Sequence, residues 1–149
     1  MVYTEEIIVK QPLNQSISLF AEPENMKKWQ PGLLNYKQKK GEGRETGAIT
    51  IYSYQVKKRI ILMRETILEN KLPGKILFKY ETAGVYNFLE AQFQADGSDV
   101  TRLTTINEFR LKGLMKIIGW LMPGMFKKQT TRYLKQFKKF ADNPGDYHR

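Results

Sequence analysis

Apolar and polar residues alternate with a period of two through most of this chain, and after Gly113 the period lengthens to that of a helix. Residues 2–10 read as a first strand, with Tyr3, Ile7 and Val9 on one face and Thr4, Glu6 and Ile8 on the other. Pro12 ends that strand. Asn14 or Ser16 is placed to cap a short helix containing Ile17, Leu19 and Phe20, and Pro23 sits at the first turn of a second one leading to Trp29. Pro31-Gly32 closes the pair. Six further strands are expected at residues 33–39, 48–56, 60–69, 75–82, 86–95 and 100–111. Their separators are short, which favours an antiparallel meander over parallel crossovers.

From Met125 on, Phe126, Thr130, Tyr133, Phe137 and Ala141 recur at helical spacing, while Lys128, Arg132, Lys135 and Lys139 form a second stripe on the opposite side. The apolar stripe needs a core, and the concave face of a curling sheet would supply it. Pro123 interrupts the apolar stretch that precedes it and should bend the helix, with Gly119 and Gly124 adding freedom. In the simpler reading Ile117, Ile118, Leu121, Met122 and Met125 pack into the core and the bend fits the helix to the sheet. In the other, this stretch forms a rim with Met26 and Trp29 and opens as a gate. The expected architecture is α+β: an antiparallel curved sheet of about seven strands wrapped around a long C-terminal helix, with two short helices after the first strand. Residues 1–142 would form the domain and 143–149 a flexible tail.

A chain of 149 residues can bury a sufficient core without disulfides. The absence of cysteine, and an N-terminal stretch with an acidic pair and no continuous apolar run, lead to the expectation of a cytoplasmic protein. The apolar run 114–126 is shorter than the roughly 20 residues that cross a bilayer. The net charge of +10 raises nucleic acid and anionic membrane as partners. Basic residues gather at Lys37, Lys39 and Lys40, at Lys57, Lys58 and Arg59, and along the last helix, without the zinc-ligand spacing or strand-borne aromatic-basic motifs of nucleic-acid modules. No nucleic-acid partner is expected, and membrane contact through the basic helix face is the less favoured reading beside a solvated face. The one histidine, His148, lies near the C-terminus, and with no cysteine present the usual zinc sites and Ser-His or Cys-His catalysis lack their residues. No metal and no other cofactor is expected.

Several local sequences resemble one branch of the SRPBCC, or START-like, superfamily: the bacterial polyketide cyclase/dehydrase and lipid transport proteins. The resemblance is carried by Pro23-Glu24-Asn25-Met26-Lys27-Lys28-Trp29 with Pro31-Gly32, by Met63 with Glu65-Thr66-Ile67, and by Tyr80 with Gly84-Val85-Tyr86-Asn87. It continues in Asn107-Glu108-Phe109 with Lys112-Gly113, and is most distinctive in the run from Leu121 through Pro123-Gly124 to Thr130. It spans nearly the whole chain. The resemblance implies the helix-grip fold, which is also that of the birch-pollen allergen, and a hydrophobic-ligand cavity between sheet and C-terminal helix. It implies no particular reaction.

The register of the strands can be argued from two tight turns. A hairpin at Leu72-Pro73-Gly74 sets Glu65 opposite Tyr80, and one at Ala83-Gly84 sets Tyr80 opposite Asn87, so the three fall in one row. The same face carries Met63, Ile67, Ile76, Phe78, Leu89, Ala91 and Phe93. On the last strand Leu103, Phe109 and Leu111 select the odd positions as inward, bringing Thr105 and Asn107 with them. The candidate ligand-binding set is therefore Glu65, Tyr80, Asn87, Asn107, Met63, Phe93, Phe109, Met122 and Phe126, around a pocket bordered by Phe93, Phe109, Phe126 and Met122. The inward polar groups either hydrogen-bond only one another, or orient a ligand, or include an acid–base pair of Glu65 and Tyr80 in a cyclase or dehydratase. The reading adopted is a binder of a hydrophobic or amphipathic small molecule, lipid-like or polyketide-like, with no catalytic residue assigned. Nothing in the sequence indicates the oligomeric state.

Overall fold

The computed structural model describes residues 1–146. β1 (Val2–Val9) is followed by two short helices, α1 (Leu13–Ala21) and α2 (Pro23–Trp29). The meander comprises β2 (Leu33–Lys40), β3 (Ile49–Val56), β4 (Arg59–Lys71), β5 (Lys75–Thr82), β6 (Val85–Ala95) and β7 (Thr101–Leu111). Two helices, α3 (Leu114–Leu121) and α4 (Met125–Asp142), complete the chain up to a single 3-10 turn at Pro144–Asp146. All seven strands form one antiparallel sheet in the order β1-β7-β6-β5-β4-β3-β2. From β2 to β7 each sequential pair is a hairpin, β1 pairs with β7 at the other edge, and the sheet curls around α4. The mobile tail expected at 143–149 falls partly on residues 147–149, His148 among them, which lie outside the described residues.

Aromatic packing holds α4 against the two short helices and, through Phe126 on Phe109 of β7, against the sheet. Phe126, Leu134, Phe137, Phe140 and Ala141 of α4 are buried. Phe137 meets Phe20 edge to face at 5.0 Å between ring centroids and Trp29 at 5.1 Å. The indole Nε1 of Trp29 donates to the Leu19 carbonyl at 3.1 Å, which fixes the angle between α1 and α2. Along the other flank Thr131 Oγ1 donates to Glu5 at 2.7 Å, and Lys138 donates to the Ile8 carbonyl, tying α4 to β1. The lysine and arginine stripe expected on the outer side of α4 is exposed at Lys128, Arg132, Lys135 and Lys139.

Three expectations need correction. Neither Asn14 nor Ser16 caps α1: the helix starts at Leu13 after Pro12, and the buried Ser16 hydroxyl donates to the Gln11 carbonyl. Pro123 breaks the terminal helix rather than bending it. The residue before a proline is pushed out of the helical region, and Met122 sits at φ −128° and ψ 67°, ending α3 before α4 begins. Most consequentially, the apolar residues of α3 do not pack into the core. No residue of α3 is buried, and Ile117, Ile118 and Leu121 face solvent together with Met122.

Candidate functional site

The inward row begins with the register. Close to the Leu72-Pro73-Gly74 turn Lys71 pairs with Lys75 and Glu69 with Leu77; a bulge at Leu68 then shifts the ladder to Ile67 opposite Phe78, and so places Glu65 opposite Tyr80. Tyr80 is in turn opposite Asn87. On the other side of β4, Thr50 of β3 faces Glu65. The alternation that turns Glu65 inward therefore brings Thr50 and Tyr52 with it.

Glu65 is fully buried, and its carboxylate is saturated. The Tyr52 hydroxyl lies 3.0 Å from both carboxylate oxygens, and the Tyr80 hydroxyl donates to Oε2 at 2.9 Å. Arg44, reaching over from the loop between β2 and β3, donates from Nη1 to Glu65 Oε1 and from Nη2 to Thr50 Oγ1, the latter at 3.0 Å. That loop is itself pinned to β4: Asn70 Nδ2 donates to the Arg44 carbonyl at 2.8 Å, and the Asn70 amide donates to Thr46 Oγ1 at 3.0 Å. Burial pushes the Glu65 carboxyl up from the usual carboxylate range, and the Arg44 guanidinium with the two phenols draws it back. Burial is the largest influence on the Arg44 guanidinium and works to lower it, but the Glu65 charge, the hydrogen bond to it and the Tyr52 and Tyr80 phenols together hold it above its ordinary value. Burial next to Glu65 likewise raises the Tyr52 and Tyr80 phenols well above the ordinary tyrosine range.

Beside this cluster, between the sheet and the start of α4, lies a cavity of about 370 Å³. Its apolar wall includes Met63 and Leu89 from the sheet, Met26 and Trp29 from α2, and Phe109 against Phe126 at 4.8 Å between centroids. Its polar lining includes Tyr80, Asn87, Thr105 and Asn107 on three adjacent strands, with Gln129 and Thr130 opposite them on α4. Asn87 Nδ2 donates to Asn107 Oδ1 at 3.0 Å. Thr105 is 1% exposed, and its hydroxyl has no hydrogen-bond partner among the described residues. Among the described residues no charged side chain borders the cavity.

Of the residues singled out from sequence, Tyr80, Asn87, Asn107, Met63, Phe109 and Phe126 border the cavity, and three do not. Glu65 sits behind Tyr80, enclosed by its own hydrogen bonds. Phe93 is buried farther along the sheet, edge to face with Phe20 at 5.9 Å. Met122 lies outside, because the chain has left the helix there, and borders a surface groove with Pro31, Pro123 and Arg132. Arg44, Thr50 and Tyr52 were not anticipated. A buried carboxylate demands a cation, and the hairpin at Lys57-Lys58 fixes the face of β3; together they are the signal that would have found these residues.

No family model and no curated protein matches the sequence. Solved structures do match along nearly the whole chain. A START superfamily protein from Mycobacterium smegmatis superposes with a TM-score of 0.74 at 11% identity, covering 95% of this chain and 97% of that one. The chain has a START-like helix-grip fold. A conserved protein from Geobacillus kaustophilus is similar at TM-score 0.73 and 16% identity, with 99% and 98% covered, and Ara h 8.0201 at 0.71 and 9%, with 95% and 97% covered. At these identities what is shared is the helix-grip backbone. The START-like frame accounts for a space between sheet and α4, and the chemistry of its walls belongs to this chain's own side chains.

Proposed function

We propose that this protein holds a small amphiphilic molecule, apolar along most of its length with one uncharged polar group, in the cavity between the sheet and α4. The observation that carries this reading is the unpartnered Thr105 hydroxyl on the polar wall of a cavity whose other walls are largely apolar. A buried polar group without a partner is unfavourable, and a ligand hydroxyl, carbonyl or amide against Thr105, Asn87 and Asn107 would satisfy it. The volume lies in the range of small-molecule sites. Because no cationic or anionic side chain among the described residues borders the cavity, a ligand charge would enter without a counter-charge from them, which strongly disfavours a carboxylate or phosphate head inside.

The alternative of a cyclase or dehydratase using Glu65 and Tyr80 has less support. Both oxygens of Glu65 already accept hydrogen bonds, and the carboxylate is separated from the cavity by Tyr80. A general base must reach the proton it takes.

Displacement of Nile red provides the test. A long-chain alcohol should displace the dye more effectively than the carboxylic acid of the same chain length at neutral pH, and Leu89→Trp, which fills the cavity, should abolish dye binding. Equal displacement by acid and alcohol would contradict the uncharged head. Dye binding unaffected by Leu89→Trp would contradict the cavity as the site.

A further inference from the structure

The side chains of α3 face the opposite way from those of a core helix. Its inner side carries Met115 and Gly119, and the backbone comes so close to β7 that a Cβ on Gly119 would stand 2.3 Å from Leu111 Cδ1. Its outer side carries Leu114, Ile117, Trp120 and Leu121, which are 79%, 55%, 80% and 64% exposed. Positions 114, 117 and 121 share one face of the helix, with Trp120 beside them and Lys116 at the edge. A soluble surface seldom gathers large apolar side chains so densely without a partner.

The charge around this helix selects the partner. Between Glu108 and Asp142 the chain carries nine Lys and Arg residues and no acidic one. Arg110 and Lys138 pair with those flanking acids, whereas Lys116, Lys127, Lys128, Arg132, Lys135 and Lys139 have no ion-pair partner among the described residues. Met122 at the end of α3 borders the same surface groove as Lys128 and Arg132, so the apolar and basic sets are contiguous.

We propose that α3 docks the protein onto an anionic lipid bilayer. Leu114, Ile117, Trp120 and Leu121 enter the boundary between headgroups and acyl chains, and Lys116 with the exposed basic residues of α4 engages the lipid phosphates. An indole suits that boundary because its ring is apolar and its N–H stays hydrated. Nucleic acid would meet the lysines but leave the four apolar side chains in water. A second copy meeting this face would set two basic stripes side by side. Met115 of α3 also borders the cavity, so docking would set the cavity's α3 end against the bilayer. That last consequence rests on the ligand-binding reading; the docking itself does not.

Vesicle flotation tests it, with phosphatidylcholine vesicles containing or lacking phosphatidylglycerol. The protein should float with the anionic vesicles, with binding at least about tenfold weaker on neutral ones or when salt is raised from about 0.05 M to about 0.5 M. The double variant Ile117→Ser/Leu121→Ser should weaken binding by at least about tenfold at an unchanged melting temperature, since both side chains are exposed. Lipids with brominated acyl chains should quench tryptophan emission, and Trp120→Leu should remove that quenching, because the other tryptophan, Trp29, is buried. The cavity-filling Leu89→Trp should leave flotation intact, so loss of ligand and loss of docking are separately visible. Three outcomes overturn the proposal: no flotation at low salt, flotation that the serine pair does not weaken, or a dimer in solution that the serine pair dissociates.

Discussion

Two polar clusters on one inward face have opposite character. On β3, β4 and β5, Glu65 is enclosed by Arg44, Tyr52 and Tyr80, and Thr50 accepts from the same guanidinium, so the central groups are mutually satisfied. On β6 and β7, Asn87 and Asn107 bond only each other among the described residues, and Thr105 bonds nothing. A saturated network gains nothing from a ligand, whereas an unsaturated wall does. Under the proposed function, the first cluster holds the fold and the second meets the ligand, although both consist of inward polar residues on neighbouring strands.

The largest effect that can separate them is removal of the cation. Arg44→Met leaves the Glu65 carboxyl fully buried with only two phenols, and losing one partner of a buried ion pair costs about 3–5 kcal/mol. Urea unfolding should show that loss together with a loosened loop between β2 and β3, since that loop contacts the sheet partly through Arg44. A loss below about 1 kcal/mol would mean that the cluster is not structural. Thr50→Val should come next. It removes the acceptor of Arg44 Nη2 while keeping the shape of the side chain, and a buried donor left unpaired costs about 1–3 kcal/mol.

The phenols give the comparison a pH dependence. Burial raises Tyr52 and Tyr54 above the ordinary tyrosine value, with Glu65 reinforcing the shift at Tyr52 and Tyr133 at Tyr54. A group whose folded value is raised adds stability that is complete below the unfolded value, about pH 10, and is lost as pH climbs from there towards the folded value. Each such tyrosine should steepen alkaline destabilisation by about 1.4 kcal/mol per pH unit, and Tyr52→Phe should remove one such increment. An unchanged slope in that variant would show that Tyr52 ionises in the folded protein much as it does in the unfolded chain.

The two clusters were not equally legible in the sequence. Strands, their order and the row of Glu65, Tyr80 and Asn87 could be read because side-chain alternation has a period of two and tight turns set the register, even though the bulge at Leu68 was not foreseen. Arg44 could not be read the same way. It lies in a Gly- and Glu-rich loop, where no periodicity says which way a side chain points, so the closed character of the first cluster stayed hidden. The outward face of α3 was hidden for a different reason: spacing reveals that a helix has an apolar face but not what that face meets. Only the tight seat of Gly119 on Leu111 turns Leu114, Ile117, Trp120 and Leu121 to solvent.

The smallest effect is the most discriminating, because its sign is reversed. Thr105 is as buried as Thr50, both at 1% exposure, and valine replaces either hydroxyl with a methyl of similar size. At position 50 the hydroxyl accepts a hydrogen bond from Arg44 and its loss should destabilise. At position 105 the hydroxyl has no partner among the described residues, so its removal lifts a desolvation penalty and should stabilise the ligand-free protein by about 1 kcal/mol. The same substitution should weaken displacement of Nile red by a long-chain alcohol, since the ligand would lose a polar contact on the cavity wall. Greater stability with poorer binding is the pattern of a residue kept for its ligand. If Thr105→Val were instead destabilising to the same degree as Thr50→Val, both threonines would be structural and the contrast between the two clusters would disappear.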